Sequence, residues 1–206
     1  MSTFSSILKE NNPAIEWDQL RSELKQCCDQ MVNNEISKII LGNNSIDDKD
    51  VTAIAEALKV NSSVFGVSLS VNSIGPEGAV AIAEALKVNS SVSWIYFNRN
   101  TIGNEGAIAF ADALKINSSV CTLSLCQNSI GNEGAIAFAD ALKVNSSIAW
   151  IYLNDNSIGD EGAIALGEAL KVNSSVSAIY LKGNPITRKT LSILESLHGD
   201  RIDILH

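Results

Sequence analysis

Residues 104–130 read NEGAIAFADALKINSSVCTLSLCQNSI, and the periodicity of apolar residues changes within this stretch. In the first half, Ala107, Phe110, Ala111 and Leu114 fall at i, i+3, i+4 and i+7, which predicts a helix with one narrow apolar stripe. In the second half, the pattern VxxLxLxxNxI that begins at Val120 has the short spacing of a strand with one buried face. The stretch therefore predicts a helix followed by a half-buried strand.

The same helix and strand recur with a period of 28 residues. An asparagine marks each copy, at Asn44, Asn72, Asn100, Asn128, Asn156 and Asn184. Six units begin near Ile36, Val64, Val92, Val120, Ile148 and Val176. One strand and one helix cannot bury an apolar face alone, whereas stacked copies can, so the period predicts a solenoid.

The glycines of the helix and the triplet Asn-Ser-Ser lead to two further structural predictions. Small residues dominate the helix stripe, and we expect its glycines to let the helix approach the strand layer; they are Gly78, Gly106, Gly134 and Gly162. The triplet Asn-Ser-Ser recurs from Asn61 to Asn173 and would be a glycosylation acceptor in a secreted protein. We interpret it as structural, with the asparagine ending each helix in the left-handed conformation.

The repeated pattern LxxLxLxxNxIGxEGAxAxAxALKxNSS resembles the ribonuclease-inhibitor type of leucine-rich repeat, which also occurs in nucleotide-binding innate-immune receptors. The match covers about residues 36–198. It implies an α/β fold, a right-handed horseshoe solenoid with a concave parallel β-sheet and convex α-helices. It also implies that the repeated asparagines hydrogen-bond backbone between neighbouring turns. The first unit departs from the pattern at Asp47, Asp48, Lys49 and Asp50, which predicts a modified turn.

The ends of the chain differ from the regular units, as the ends of a solenoid must. Residues 1–35 are predicted to form a helical N-terminal cap, residues 36–187 the repeats, and residues 188–206 a capping helix and tail. Pro13 suits the first turn of a helix, and apolar residues follow it at helical spacing: Trp17, Leu20, Leu24, Cys27 or Cys28, and Met31. At the other end, polar residues replace the regular pattern: Arg188, Lys189, Thr190, Glu195 and His198.

Composition and charge narrow the classes of partner and compartment. A net charge of −8 argues against nucleic acid and against an anionic membrane surface. The lysine near the end of each helix stands three residues after an acid, which is typical of a solvated face. The sequence shows no signal peptide and no membrane span, and its four cysteines form no disulfide pattern, so we expect a protein with reduced thiols in the cytoplasm.

The units differ from one another mainly on the side of the strands opposite the buried residues. This side, the third, fifth and seventh positions of each unit, is the sheet face. It holds Trp94, Tyr96 and Asn98 in the third unit, and Trp150 and Tyr152 in the fifth. Because aliphatic residues already fill the buried positions, we interpret the aromatic residues as a protein-binding surface, with packing as the alternative. The predicted binding residues are Trp94, Tyr96, Asn98, Arg99, Ser124, Cys126, Gln127, Trp150, Tyr152, Asn154, Asp155, Tyr180 and Lys182.

Small residues of the fourth unit separate the two aromatic units. Thr122, Ser124 and Cys126 stand there, so Trp94 and Tyr96 should face Trp150 and Tyr152 across one strand, about 10 Å apart. This spacing predicts a notch with a floor of small residues. Its polar rim would consist of Arg99, Gln127, Asp155 and Lys182. Alternatively, the aromatic rings pack flat over the small residues.

Catalytic and metal-binding constellations are absent from the pattern. The two histidines, His198 and His206, lie outside the regular units, so no Ser-His-Asp or Cys-His set and no zinc set is formed. We predict neither a cofactor nor a metal. Asp47, Asp48 and Asp50 lack the spacing of a calcium loop, and we interpret them as a solvated turn. Cys126 is the one candidate nucleophile, without a neighbouring cation cluster to activate it.

These observations favour a non-catalytic module that docks a protein partner on the concave face and is a monomer when unbound. The resemblance to the ribonuclease inhibitor suggests that the partner is an enzyme whose active site is covered. The uniform units are also similar to leucine-rich-repeat effectors that bacterial pathogens deliver into the host cell cytosol. Two alternatives remain, a scaffold that binds through its convex helices and a thiol-dependent enzyme that uses Cys126.

Overall fold

The computed structural model describes residues 22–198 and 201–203, and within them seven helices alternate with seven strands. The elements in chain order are α1 (Ser22–Val32), β1 (Lys38–Ile40), α2 (Asp48–Val60), β2 (Gly66–Ser68), α3 (Pro76–Leu86), β3 (Trp94–Tyr96), α4 (Gly103–Leu114), β4 (Thr122–Ser124), α5 (Asn132–Leu142), β5 (Trp150–Tyr152), α6 (Asp160–Leu170), β6 (Ala178–Tyr180), α7 (Arg188–His198) and β7 (Ile202–Asp203).

The strands form one parallel sheet in the order of the chain, from β1 to β7. Between β1 and β6 each residue pairs with the residue 28 positions later, as in the pairs Val67 with Ile95 and Ile95 with Leu123. Such an unbroken parallel order with a helix after every regular strand is the predicted α/β solenoid, which is confirmed.

The core lies between the sheet and the helix layer and is built from the apolar stripe of each helix. Its largest side chains are Phe97, Phe110 and Phe138, all fully buried. Glycines in the helices leave room for the helix of the neighbouring unit, because a Cβ on Gly134 would lie only 2.8 Å from the Cβ of Ala107 in α4. These small residues set the spacing between helices of successive units, whereas the expected approach of the helix to the strand layer stays a prediction.

The repeated asparagines form a buried hydrogen-bonded row, the Asn ladder. Asn156 shows the pattern: its Oδ1 accepts the N–H groups of Asn128 and Ile130 at 2.9 and 3.0 Å, and its Nδ2 donates to the carbonyls of Leu125 and Leu153, both at 3.0 Å. One side chain thus satisfies backbone groups of two units, as the resemblance implied.

Asn-Ser-Ser forms a second such row on the opposite edge. Asn89 donates from Nδ2 to the carbonyls of Leu58 and Asn61, each at 2.9 Å, and accepts the N–H of Val92. Its structural role is confirmed, but the expected left-handed conformation is wrong, since Asn61 ends α2 with φ −85° and ψ 141°. Side-chain bonds to the preceding unit hold the turn instead. Positive φ occurs at the residue before each ladder asparagine: Asn43, Val71, Arg99, Gln127, Asp155 and Gly183.

A third row caps the helices and is interrupted once. Asn132 Oδ1 accepts the N–H groups of Gly159 at 2.7 Å and Gly162 at 3.2 Å in the next unit. Asp48, Asn104 and Asp160 make the corresponding bonds, but Pro76 occupies the position in the second unit. Without that acceptor, Gly103 turns to φ +59° and donates to the carbonyl of Asn128 at 3.1 Å.

The acidic turn of the first unit belongs to this row, which corrects its interpretation as a solvated turn. Asp47 caps α2 in a capping box with Asp50, which is largely buried, and Asp48 Oδ1 accepts the N–H groups of Gly75 and Gly78. The carboxylates therefore bind backbone and do not simply face water. They replace the regular turn because acceptors at a helix N-terminus satisfy its free N–H groups.

The two ends are closed in different ways. At the N-terminal end, α1 packs Leu24, Cys28 and Met31 into the core, while Pro13, Trp17 and Leu20 lie outside the described residues. At the C-terminal end, Arg201 stands 28 residues after Asn173. Its guanidinium donates to the carbonyls of Leu170, Asn173 and Val176 at 2.9, 2.6 and 3.1 Å. A single side chain thus substitutes for the missing asparagine and serine of a further unit. The domain boundaries at residues 35 and 187 remain a prediction.

Ion pairs decorate the helix layer as expected, with one exception. Lys115 and Lys143 pair with Asp112 and Asp140 on the exposed surface, where such pairs contribute little stability. Glu56, the acid of the first pair, is buried, so the prediction of a solvated face is wrong there. None of the helices in the described part of the chain has the length and apolarity needed to cross a bilayer.

Candidate functional site

The sheet face carries the aromatic residues where the sequence placed them. Trp94, Tyr96, Trp150, Tyr152 and Tyr180 all lie on strands β3, β5 and β6, on the side opposite the buried Ile95, Ile151 and Ile179. Trp150 is 41% exposed and Tyr96 38% exposed. Aromatic surface therefore remains in contact with water, which is the prerequisite for an interface at this face. Binding by the predicted residues stays a prediction.

The first aromatic cluster extends from the third unit toward the second. Trp94 lies against Tyr96 with ring centroids 4.9 Å apart, and edge-on to Phe65 at 6.4 Å. Its indole covers Gly66, because a Cβ on that glycine would lie 2.0 Å from the ring. Lys38 continues the row, with its Nζ 5.0 Å from the centre of the Phe65 ring.

The second cluster is a stack of two tyrosines. The rings of Tyr152 and Tyr180 are parallel within 1°, with centroids 4.4 Å apart. Burial, and secondarily the neighbouring Tyr180, raises the pKa of Tyr152 above its ordinary value of 10.0. The stack offers a flat, rigid surface next to the exposed indole of Trp150.

The predicted notch is correct in register and wrong in the direction of one ring. Trp94 pairs with Thr122 and Thr122 with Trp150, so the two aromatic units do flank the small residues of β4. Trp94, however, leans away from β4 because Gly66 leaves space for the indole on the other side. Trp94 therefore packs over the second unit, which neither the notch nor the alternative of packing over the fourth unit predicted.

The notch floor is polar and rigidly held. Ser124 is buried, and its hydroxyl donates to Asn98 Oδ1 at 2.6 Å. The same oxygen accepts the N–H of Cys126 at 2.9 Å, and Asn154 Oδ1 accepts the N–H of Lys182 at 3.1 Å. Because both amide oxygens are engaged with the following unit, the Nδ2 groups of Asn98 and Asn154 are presented as donors.

Three of the predicted rim residues form a continuous chain across three units. Arg99 Nε donates to Gln127 Oε1 at 3.0 Å, and Gln127 Nε2 donates to Asp155 Oδ2 at 3.2 Å. All three have positive φ, between 55° and 57°. Lys182 does not take part in this chain. We call Arg99, Gln127 and Asp155 the rim.

The candidate nucleophile, Cys126, lies on the sheet face beside Ser124. Cys126 is partly exposed, and its Sγ lies 3.8 Å from Ser124 Oγ. All four cysteines are free. Residues 22–198 and 201–203 contain no group of three or more His, Cys, Asp or Glu side chains able to hold a metal ion.

Sequence reasoning missed Phe65 and Lys38 as parts of the aromatic surface. Phe65 takes the place that Ser93, Cys121 and Ala149 have in other units, and it is 39% exposed. A large apolar residue at a position otherwise occupied by small ones was the available signal. An exposed apolar row at the helix ends was not predicted either, and it consists of Val88, Ile116, Val144 and Val172.

Comparisons with known proteins agree with the repeats and the fold. A family model described as Leucine Rich repeat matches residues 67–83, 95–111, 117–139 and 151–167. Actin-binding site 2 of leiomodin-1 has a similar structure, with a TM-score of 0.63 at 22% identity over 75% of this chain and 91% of that one. The tropomodulin C-terminal domain of Caenorhabditis elegans also has a TM-score of 0.63, at 16% identity over 74% of this chain and 93% of that one.

At these identities the structural similarity concerns the fold alone. No curated protein sequence matches the chain. The repeats recognised by the family model coincide with strands β2 to β5 and the helices that follow them. The chain therefore contains leucine-rich repeats and adopts the α/β solenoid fold that such repeats build.

Proposed function

We propose that this chain is a non-catalytic protein-binding module that docks its partner on the sheet face. The observation that carries the proposal is the exposed aromatic surface around Tyr96 and Trp150 on a sheet whose core is complete without it. Trp and Tyr are the residues that contribute most to protein interfaces, because they bring a large contact area at little cost in side-chain entropy.

The test compares the two sides of the solenoid. Tyr96→Ala with Trp150→Ala removes the exposed aromatic groups, and Ile108→Ala with Ile164→Ala removes exposed apolar groups of similar exposure from the helices. Partners are captured from extract with the intact chain, and their affinity is measured by calorimetry. Loss of about 2 kcal/mol or more per aromatic residue, with the helix variant unchanged, is expected. Full affinity of the folded aromatic variant would contradict the proposal.

Actin is the first purified probe to use. The leiomodin-1 fragment that shares this fold is described as an actin-binding site. Co-sedimentation with filaments and calorimetry with monomeric actin decide whether this chain has the same partner. At 22% identity the residues that carry binding need not be shared, so the sheet-face variants are included in the same experiment.

Several narrower proposals follow from the resemblance of the repeats to the ribonuclease-inhibitor type. One is that the partner is an enzyme whose active site is covered, with the rigid notch floor as the seat for a protruding loop. Others are that the module is monomeric when unbound and acts in the cytoplasm, or in a host cytosol if it is a bacterial effector. Inhibition is tested by assaying each captured enzyme with and without the module.

A second candidate is a scaffold that binds through the helix side. The row of Val88, Ile116, Val144 and Val172 favours it, because each side chain is at least 65% exposed. Thr has the shape of the three valines and is smaller than Ile116, so replacing all four by Thr reduces the apolar surface of the row. Loss of the captured partner by this variant alone would place the interface there and contradict docking on the sheet face.

A further inference from the structure

Charge is distributed unevenly between the two sides of the solenoid. Residues 36–187 contain nine Lys or Arg and 14 Asp or Glu, yet the sheet face and the rim have Lys38, Arg99 and Lys182 against Asp155. Asp203 in β7 adds a carboxylate beside Tyr180 at the C-terminal edge. The acids therefore concentrate on the helix layer and its turns, and the sheet face is the cationic part of an acidic chain.

The hydrogen-bonding groups of the sheet face are also mainly donors. Arg99 uses Nε for Gln127, and the described residues offer no acceptor to its two terminal nitrogens. Asn98 and Asn154 have their oxygens engaged and present Nδ2. Lys182 is exposed. Asp155, the carboxylate of the rim, already accepts a bond from Gln127. Free donors next to aromatic rings fit a ligand that brings acceptors and apolar groups.

We propose that the segment recognised by the sheet face is an acidic polypeptide, with carboxylates for Arg99 and Lys182 and an apolar residue between them. The inference rests on the proposed function of the sheet face and specifies the chemistry of its partner. Arg99 and Lys182 belong to units three strands apart, which corresponds to about 14 Å across the sheet. An extended chain covers that distance in about four residues. The partner motif therefore has two acids at i and i+4.

A nucleic acid is the other polyanion with affinity for aromatic surfaces, and the charge pattern disfavours it. Single-stranded nucleic acids bind in grooves with a continuous track of cations, one phosphate after another. Here Arg99 and Lys182 are separated by the uncharged Gln127 and by Asp155. Two carboxylates with neutral chain between them match this spacing, since opposite charges on the two surfaces favour the complex.

The test uses the full chain and the peptide acetyl-Gly-Glu-Pro-Leu-Pro-Glu-Gly-amide, whose prolines keep it extended. Matched peptides replace both glutamates by glutamine or by lysine, and a ten-residue oligothymidylate is the nucleic-acid probe. Binding is followed by the indole N–H signals of Trp94 and Trp150 in NMR spectra. We expect saturable shifts with the acidic peptide, affinity on the order of tenfold above that of the glutamine peptide, and weakening with added salt.

Two charge variants with the same net charge complete the experiment. Arg99→Gln with Lys182→Gln should reduce binding of the acidic peptide about tenfold, and Lys115→Gln with Lys143→Gln on the helices should leave it unchanged. Equal binding of the glutamine or lysine peptide, equal loss in both variants, tighter binding of the oligonucleotide, or no shift with any peptide would overturn the inference. The Tyr96 and Trp150 experiment judges the sheet face separately, so either idea can fail alone.

Discussion

Asn154 and Asn156 are two residues apart in the same unit, but Asn154 lies on the sheet face and Asn156 in the buried Asn ladder. Asn156 belongs to the Asn ladder, where its side chain makes four bonds to buried backbone and where every unit has the same residue. Asn154 lies on the sheet face and accepts one N–H group, and its counterparts in other units are Gly42, Ser70, Asn98, Cys126 and Lys182. Residues of the Asn ladder, whose side chains hydrogen-bond the backbone of neighbouring units, are the same in every unit, whereas residues that face water differ from unit to unit.

The largest expected effect on stability comes from replacing these two asparagines one at a time. Asn156→Ala leaves the buried N–H groups of Asn128 and Ile130 and the carbonyl of Leu125 without partners, while Leu153 keeps the bond from Asn184, and should lower the free energy of unfolding by about 3 kcal/mol. Asn154→Ala exposes one N–H at the edge of the sheet and should cost less than about 1 kcal/mol. Urea denaturation followed by circular dichroism measures both. Equal losses would show that the Asn ladder has no special energetic role.

The fold was largely predictable from this regularity, because identical residues at a fixed spacing report on a contact between units. The solenoid and its repeat followed from the positions of Asn44 to Asn184, and the Asn ladder and the parallel sheet followed from the resemblance to leucine-rich repeats. The direction of Trp94 did not, since it depends on the empty space above Gly66 in another unit, and rotamers on an exposed face have no periodicity. Arg201 was also missed, because an arginine replaces an asparagine and a serine of a different shape.

A second pair of variants contrasts a glycine of the helix layer with a glycine of the sheet face. In Gly134→Ala the new Cβ would lie 2.7 Å from Ile130 Cγ2 and 2.8 Å from Ala107 Cβ, both in the core. We expect a cost of about 2 kcal/mol, because close-packed neighbours have no room to move. Gly66→Ala meets the Trp94 indole at 2.0 Å, and the ring can swing outward, so about 1 kcal/mol is expected.

Tryptophan fluorescence distinguishes the two glycine variants. Gly66→Ala should shift the emission of Trp94 to longer wavelength, because the ring moves into water, while Gly134→Ala should leave it unchanged. Unchanged emission in Gly66→Ala would mean that the indole does not cover this glycine. A Gly66→Ala chain with displaced Trp94 and normal partner affinity would further limit the binding surface to Tyr96 and the fifth and sixth units.

The row of helix-capping side chains is interrupted at Pro76, and a substitution there can complete it. Pro76→Asn supplies the acceptor that Asn104 and Asn132 supply elsewhere, so Gly103 and Gly106 should adopt the bonds seen at Gly131 and Gly134. The stability should change by less than about 1 kcal/mol, because the new bonds replace those that Gly103 and Gly106 now donate to the carbonyls of Asn128 and Ile102. A change in the backbone chemical shifts of Gly103 as its φ leaves the positive region is the direct measurement, and unchanged shifts would contradict it. Pro76→Ala, which offers no acceptor, is the control.

The smallest effect concerns Asp160, which performs with a carboxylate what Asn104 and Asn132 perform with an amide. The N–H and hydroxyl of Thr187 donate to it at 2.7 and 2.8 Å and lower its pKa below the usual 3.8. Because the folded pKa is depressed, the stabilisation is present above about pH 4 and is lost as the pH falls through the folded value. Asp160→Asn should remove this pH dependence, whereas Glu161→Gln should not. The measurement is the change in urea midpoint between pH 5 and pH 2.5, and an equal change in Asp160→Asn and the unaltered chain would show that the carboxylate is not linked to the docking of α7.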